Sequence, residues 1–274
     1  MKLGVLAYLS RCLEYFLKDR SFCIKTRYGW PICVRPGKGY TELSMVLFRS
    51  FAAEISNLII DLLPNSGIFI DIGAHIGWFS KLASYKVGSG GCVIAVEPEP
   101  TNFRMLEANT RSVPSEIILH NLALGDACYE RKLYLGGSSG EHSLKHEFKK
   151  FILVEVITGD KLFADLPSAD LVKIDVEGAE WEVLRGMAEC LKRWSKVKVI
   201  VEFLPKHWPF EEVKEFYNFL RSLGFEVYFI ERLSLYAKRL PCLYLAPLRK
   251  WQSLHFPNIL LARDPLPGLP IVKL

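Results

Sequence analysis

The stretch over residues 68–77, Ile68-Phe69-Ile70-Asp71-Ile72-Gly73-Ala74-His75-Ile76-Gly77, constrains this chain more than any other. Its first half is a short apolar, β-branched run with a carboxylate near its end, the pattern of a parallel strand buried on both faces. Gly73 and Gly77 permit a tight turn and a close approach of backbone to ligand. From about His75 the apolar residues Ile76, Phe79 and Ala83 recur at helical spacing. A buried strand that passes through a glycine turn into a helix N-terminus is the way open α/β sheets build nucleotide-type sites.

The rest of the chain supports a sheet around that strand. Apolar runs near residues 92–96, 116–121, 170–175, 197–203 and 225–230 alternate with helical patterns, which predicts an α/β fold with a mostly parallel sheet and helices on both faces. The helical pattern over 210–223 is the cleanest, with Val213, Phe216, Tyr217 and Leu220 on one face and Gly224 past its end. Residues 129–167 insert two strand-like runs, 131–135 and 152–157, joined through a glycine- and serine-rich loop at 136–140 that is a candidate lid. Ahead of the sheet the pattern predicts an amphipathic helix in 1–18, a hairpin in 22–34, a loop at 35–39 and one helix over 41–63 stopped by Pro64. The expected organisation is an accessory layer of helices and hairpin at 1–64 and a ligand-binding domain at 65–274.

The spacing of the glycines decides the ligand. A dinucleotide fingerprint reads Gly-x-Gly-x-x-Gly, whereas here Asp71 precedes Gly-x-x-x-Gly and His75 stands where a further glycine would fall. A carboxylate at the turn repels phosphate and attracts an ammonium or sulfonium group. Roughly twenty residues further on, a second apolar run from Cys92 to Val96 ends on Glu97, where an acid can take two ribose hydroxyls. Two acids at neighbouring strand ends suit S-adenosylmethionine. The competing readings are a nicotinamide-dependent oxidoreductase, which the glycine spacing and Asp71 disfavour, and a non-catalytic binding protein on the same fold.

At these residues the chain resembles the FkbM-type S-adenosylmethionine-dependent methyltransferases. The resemblance is carried by Asp71-Ile-Gly-Ala-His-Ile-Gly77, Val96-Glu-Pro-Glu-Pro100 with Asn109 beyond it, Asn121-Leu-Ala-Leu-Gly-Asp126, Lys173-Ile-Asp-Val-Glu-Gly-Ala-Glu180 and Asn258-Ile-Leu-Leu-Ala-Arg263. It implies a Rossmann-like class I methyltransferase fold, a seven-stranded sheet whose final strand runs antiparallel. The cofactor's methionine end is then expected at Asp71, Gly73, Ala74, His75 (usually Asn in the family) and Gly77. Glu97 and Pro98 are expected at the ribose, Asn121, Leu122 and Ala123 at the adenine, and Asp175 beside the cofactor. It also implies methylation of a hydroxyl on a sugar, lipid or other small metabolite.

Methyl transfer is an in-line displacement, so the protein chiefly aligns acceptor and methyl group. An alcohol acceptor must also lose a proton, which a carboxylate can take. Asp175 is the expected base or acceptor-orienting group, with Glu177 second and Glu180 clustered with them. Acids in a first helical turn are held ionised by the helix dipole, and crowding opposes this. The helix that follows is expected to bury Ala179, Val183, Leu184, Met187 and Leu191. These three acids suit Mg²⁺ or Ca²⁺, but the chain offers no other matching set, so a divalent cation is possible and not the favoured reading. Glu202, His142 and His207 lie at the edges of the expected site.

Lysine and arginine exceed aspartate and glutamate by 35 to 30, and the basic residues are scattered rather than striped, which argues against a nucleic-acid partner. The cysteines are odd in number, 7, with no Cys-x-x-Cys, and read as reduced thiols of a cytoplasmic protein without disulfides. No apolar run reaches the roughly 20 residues that span a bilayer. The first 18 residues lack the uninterrupted core and cleavage site of a signal peptide, and they are expected to pack on the body rather than on a membrane surface. In the apolar segment 234–257, Trp251, His255 and Phe256 are expected in the core, with a substrate pocket or a dimer contact as alternatives.

Overall fold

The computed structural model of the chain describes residues 12, 16, 20–145, 147–203, 205, 208–234, 239–253 and 257–274. The amphipathic segment at 1–18 therefore lies almost wholly outside the described residues, as do His207, His255 and Phe256.

A two-stranded ribbon, β1 (Phe22–Lys25) and β2 (Pro31–Val34), is followed by α1 (Tyr40–Phe48) and α2 (Ala53–Leu62). The sheet then begins with β3 (Ile68–Ile72), α3 (Trp78–Val87), β4 (Cys92–Val96), α4 (Pro100–Thr110) and β5 (Glu116–His120). The insertion contributes β6 (Ala123–Gly125), β7 (Tyr129–Tyr134), β8 (Phe151–Thr158) and α5 (Gly159–Leu162). The sheet resumes with β9 (Leu171–Ile174), α6 (Glu180–Arg185), α7 (Ala188–Arg193), β10 (Lys198–Glu202), α8 (Phe210–Ser222) and β11 (Glu226–Ile230). It closes with β12 (Leu243–Leu245), β13 (Asn258–Ala262) and β14 (Ile271–Lys273).

The main sheet runs β14-β12-β11-β13-β10-β9-β3-β4-β5. From β10 through β9, β3 and β4 to β5 every pairing is parallel, and β13 inserts antiparallel between β10 and β11. The strand order turns at β3 and β9, so a crevice opens above their carboxyl ends. Seven strands form the expected sheet, and β12 and β14 add two more at its edge. A second sheet of order β6-β8-β7 is built by the insertion.

The central strands are buried except at some end residues because helices cover both faces. On one face α6, α7 and α8 pack Val183, Leu191, Phe216 and Leu220 on Val172, Val199 and Val201. On the other, α3 packs Phe79, Leu82 and Ala83, and the N-terminal layer joins the same core through Trp30, Ile32, Met45, Leu58 and Ile59.

Local expectations fail where tertiary contacts set the backbone. The single helix expected over 41–63 is two helices meeting at 73°, with Arg49 and Ala52 in the left-handed region. The Arg49 carbonyl accepts from the Arg27 N–H of the ribbon, a contact no local pattern announces. The helix expected after Asp175 is likewise two short ones, α6 and α7. A side chain at the Gly186 between them would meet the Gly125 carbonyl at 1.9 Å, so the break lets β6 lie against the chain. The helix expected from His75 starts at Trp78, because His75 and Gly77 both take positive φ. The expectation of seven reduced cysteines is corrected too. The ribbon sets Cys23 directly opposite Cys33 and the two are disulfide-bonded, an opposition that a count of cysteines does not contain. Trp251 is 1% exposed and packs on Phe203, Tyr217 and Phe229, in the core rather than in a pocket.

Candidate active site

A cavity of about 200 Å³ lies above the carboxyl ends of β3, β4, β9 and β10. Gly73, Ala74 and His75 line it from the first turn, Glu97 and Pro98 from the end of β4, and Leu122 and Ala123 from the entry to β6. At its other end stand Lys173, Asp175, Glu177 and Glu202. Tyr40 and Thr41 of α1 and Ser139, Gly140 and His142 of the insertion complete its wall, and Phe51, Trp78 and Phe79 supply an aromatic side.

Glu97 is 6% exposed and held by the backbone: its Oε2 accepts from the His75 N–H at 2.9 Å and its Oε1 from the Glu99 N–H at 3.0 Å. Burial outweighs these bonds and pushes its carboxyl up to about 7. Each oxygen still has a lone pair not used by these bonds, in a group that borders the cavity.

Asp71 sits one layer down. It is fully buried, its Oδ2 accepts from Ser80 Oγ at 2.6 Å, and its Oδ1 has no hydrogen-bond partner and lies 4.0 Å from Lys173 Nζ. Burial raises its proton affinity, opposed by Lys173 and Ser80. Asp71 therefore does not face the cavity, and neither do Gly77 and Asn121. A Cβ at Gly77 would meet Leu106 at 2.7 Å, which makes that glycine a seat for α4. Asn121 donates from Nδ2 to the carbonyls of Glu97 (2.9 Å) and Pro98 (3.1 Å), so it braces the backbone that carries Glu97. Gly73 lines the cavity and also admits a neighbour: with φ 78, its absent Cβ would lie 1.8 Å from the Asp175 carbonyl oxygen.

The acidic end differs in membership from the expected trio. Carboxylate oxygens of Asp175, Glu177 and Glu202 lie within 4.8 Å of one another. Glu180 turns away, its Oε1 accepting from the Val176 and Gly178 N–H groups at 3.0 and 3.1 Å. Glu177 takes φ 55, and burial followed by the charges of Asp175, Glu180 and Glu141 pushes its carboxyl up to about 8. For Glu202, burial and then Asp175, Glu177 and Glu180 push it up to about 10. Burial and Glu177 also raise the Tyr40 phenol.

The loop at 136–140 is pinned across the cavity. Ser139 Oγ donates to Glu42 Oε1 at 2.7 Å, its carbonyl accepts from Asn102 Nδ2 at 2.8 Å, and its N–H donates to the Lys38 carbonyl at 2.6 Å. His75 Nε2 lies 3.0 Å from Ser139 Oγ. Because the hydroxyl proton goes to Glu42, His75 Nε2 is the donor in that pair. Burial, with Arg35, His142 and Lys173 nearby, lowers His75 to about 3 and keeps the ring neutral. Arg35 joins the network through Glu42 Oε1 (3.2 Å) and Asn102 Oδ1 (2.7 Å). His142 lines the cavity with its Nδ1 accepting from the Gly136 N–H.

Sequence reasoning did not single out Lys173, Tyr40, Ser139 or the Arg35–Glu42 pair. Lys173 had a signal, a lone charge within the otherwise apolar strand Leu171-Val172-Lys173-Ile174. Tyr40 and Ser139 reach the cavity from distant segments, and the Arg35–Glu42 pair stands behind Ser139.

Strand order and site together define a class I methyltransferase architecture. The model of the methyltransferase FkbM domain matches residues 71–227, and the chain belongs to that family. The hexuronic acid methyltransferase AglP of Haloferax volcanii is 30% identical over 155 residues, covering 54% of this chain and 61% of that protein. Methyltransferase 1 of Beauveria bassiana is 26% identical over 190 residues, 60% of this chain and 74% of that one. Methyltransferase sdnD of Sordaria araneosa is 27% identical over 203 residues, 57% of this chain and 71% of that one.

Proposed function

We propose that the chain is an S-adenosylmethionine-dependent O-methyltransferase whose acceptor is a hydroxyl of a sugar or comparable small metabolite. The observation that carries this reading is one cavity joining Glu97 at the end of β4 to Asp175, Glu177 and Glu202 at the ends of β9 and β10. A relative named as a hexuronic acid methyltransferase supports the acceptor class.

The residues fit the cofactor. Glu97 would hold the ribose hydroxyls with the lone pairs its backbone donors leave free, and Leu122 and Ala123 would seat the adenine against an apolar surface. Gly73, Ala74 and His75 would border the methionine end. When bound, S-adenosylmethionine supplies an electrophilic methyl group on a sulfonium centre.

The chain's own work is alignment, exclusion of water and handling of one proton. Asp175, bonded to Lys173 Nζ at 3.0 Å, is the group that orients the acceptor hydroxyl and receives its proton. Glu177 and Glu202, whose carboxyls hold protons near neutral pH, offer donors to other acceptor oxygens. The pinned 136–140 loop and Tyr40 limit access of water from above.

Among the described residues no single helix is long and apolar enough to cross a membrane. We place the reaction in the cytoplasm on the strength of five free cysteines, Cys12, Cys92, Cys128, Cys190 and Cys242, although the Cys23–Cys33 disulfide is of a kind that oxidising compartments favour.

Calorimetry with S-adenosylmethionine, S-adenosylhomocysteine and NAD tests the cofactor, and labelled-methyl transfer to a panel of a hexuronic acid, a neutral hexose and a hexosamine tests the acceptor. Binding of the first two ligands and label on one sugar are expected. Preferential heat with NAD overturns the reading.

A further inference from the structure

We propose that Lys173 is a positioning residue, a fixed internal cation that holds the Asp175 carboxylate at the cavity floor where other acidic sites use a divalent metal. The inference rests on the methyltransferase reading above and adds a role for a residue outside the expected set.

Strand geometry brings the group there. Residues 173 and 175 lie two apart and so point to one face, and Lys173 is in register with Asp71 on the adjacent parallel strand. The lysine is 4% exposed. Its Nζ donates to Asp175 Oδ2 at 3.0 Å, lies 4.0 Å from the otherwise unpartnered Asp71 Oδ1, and sits 4.8 Å from the Phe79 ring centroid. Two carboxylates and an aromatic face thus surround one ammonium, in a setting where a lone buried amine would lose its proton. Burial acts in that direction here, but Asp175, Asp71 and Glu202 override it and raise the proton affinity of Lys173 above the ordinary lysine value.

A cation is required at this spot by charge balance. Asp71 has no solvent to retreat to, and Asp175 borders Glu177 and Glu202. Hard cations such as Ca²⁺ take several oxygens at about 2.3–2.6 Å, a role these acids could serve if the ammonium were gone. The ammonium instead fixes the direction of the Asp175 carboxylate through its Oδ2, without occupying the space where an acceptor hydroxyl must come. Removal of the lysine charge should therefore turn the cluster into a divalent-cation site, whereas arginine in its place should not.

The test compares wild type, K173R, K173M and the double variant K173M/D71N, titrated with CaCl₂ by calorimetry and by shift of the unfolding temperature. D71N removes the stranded buried charge, so the double variant keeps the question open if K173M alone does not fold. The proposal expects at least tenfold tighter Ca²⁺ binding in K173M or the double variant than in wild type, and wild-type behaviour in K173R. On whichever sugar of the panel wild type methylates, K173M should lose at least a hundredfold in kcat with KM changed less than threefold, and K173R should recover most of it. Equal Ca²⁺ affinity in wild type and the methionine variants, or unchanged kcat in K173M, would overturn it. The cofactor titration of wild type tests the methyltransferase reading separately, and the Ca²⁺ comparison does not depend on turnover.

Discussion

Glu177→Gln should make the protein more stable in alkaline solution and leave it unchanged or weaker in acid. Glu177 has an ordinary carboxyl value of 4.5 in the unfolded chain and about 8 in the folded one, through burial and then the charges of Asp175, Glu180 and Glu141. The folded state therefore binds the proton more tightly, and the stability this contributes is fully present below pH 4.5 and lost as pH rises toward and through 8. Glutamine does not titrate and escapes that loss. At about 1.4 kcal/mol per pH unit, moving a carboxyl from 4.5 to about 8 sets an upper bound of about 5 kcal/mol. Glu177 is only half-buried and shares its field with Asp175 and Glu202, so the expected gain at pH 9 is about 1–2 kcal/mol. For a chain of this length that is roughly 2–4 °C in Tm. Scanning calorimetry of wild type and variant from pH 5 to pH 9 measures it. A Tm difference that is constant across the range, or that shrinks as pH rises, would refute the assignment of Glu177 as a crowded, protonated acid.

Four further outcomes follow from the same geometry. Glu97→Gln should weaken S-adenosylmethionine binding about 10–100-fold in calorimetry with Tm little changed at pH 7, since charge-assisted bonds to hydroxyls contribute about 1.5–3 kcal/mol each. Gly73→Ala should destabilise the fold by about 2–4 kcal/mol in urea unfolding, because its Cβ would lie 1.8 Å from the Asp175 carbonyl oxygen at a φ of 78. Ser139→Ala should raise the KM for the acceptor several-fold, because the 136–140 loop loses its side-chain bonds to Glu42 and His75. Cys23→Ser should lower stability by about 2–3 kcal/mol, the order expected for a loop as short as the Cys23–Cys33 separation of 10, and a reducing agent should lower the wild-type Tm to match.

What could be read from residues alone divides along a physical line. The strand–turn–helix at 68–77 and the strand runs ending on Glu97, near Asp175 and on Glu202 were legible because a parallel sheet buries whole strands, and burial writes itself as uninterrupted apolar sequence. Charges at the carboxyl ends of such runs stand out against that background, so most cavity-lining acids were visible in advance. Lys173 belongs to the same class of signal, since a lysine inside Leu171-Val172-Lys173-Ile174 has to find a carboxylate, and the nearest lie two residues on and one strand over. Side-chain direction was not legible: Asp71, Gly77 and Asn121 lie in the right segments, yet each serves a neighbouring element instead of the cavity. Illegible too were the groups that arrive from far away. Ser139 meets His75 across 64 residues and Glu42 across 97, and neither pairing leaves a local periodicity. The breaks at Arg49–Ala52 and at Gly186 follow the same logic, because each exists to let a distant backbone approach. A substitution such as Ser139→Ala would pass unnoticed in any helix or strand pattern while removing the side-chain bonds that tie the insertion to Glu42 of the N-terminal layer and to His75 of the first glycine turn. The outer wall of this cavity is therefore expected to be where acceptor preference changes without visible change in the sheet beneath it, and exchange of residues 136–142 with those of a relative, followed by the sugar panel, would test whether preference travels with that loop.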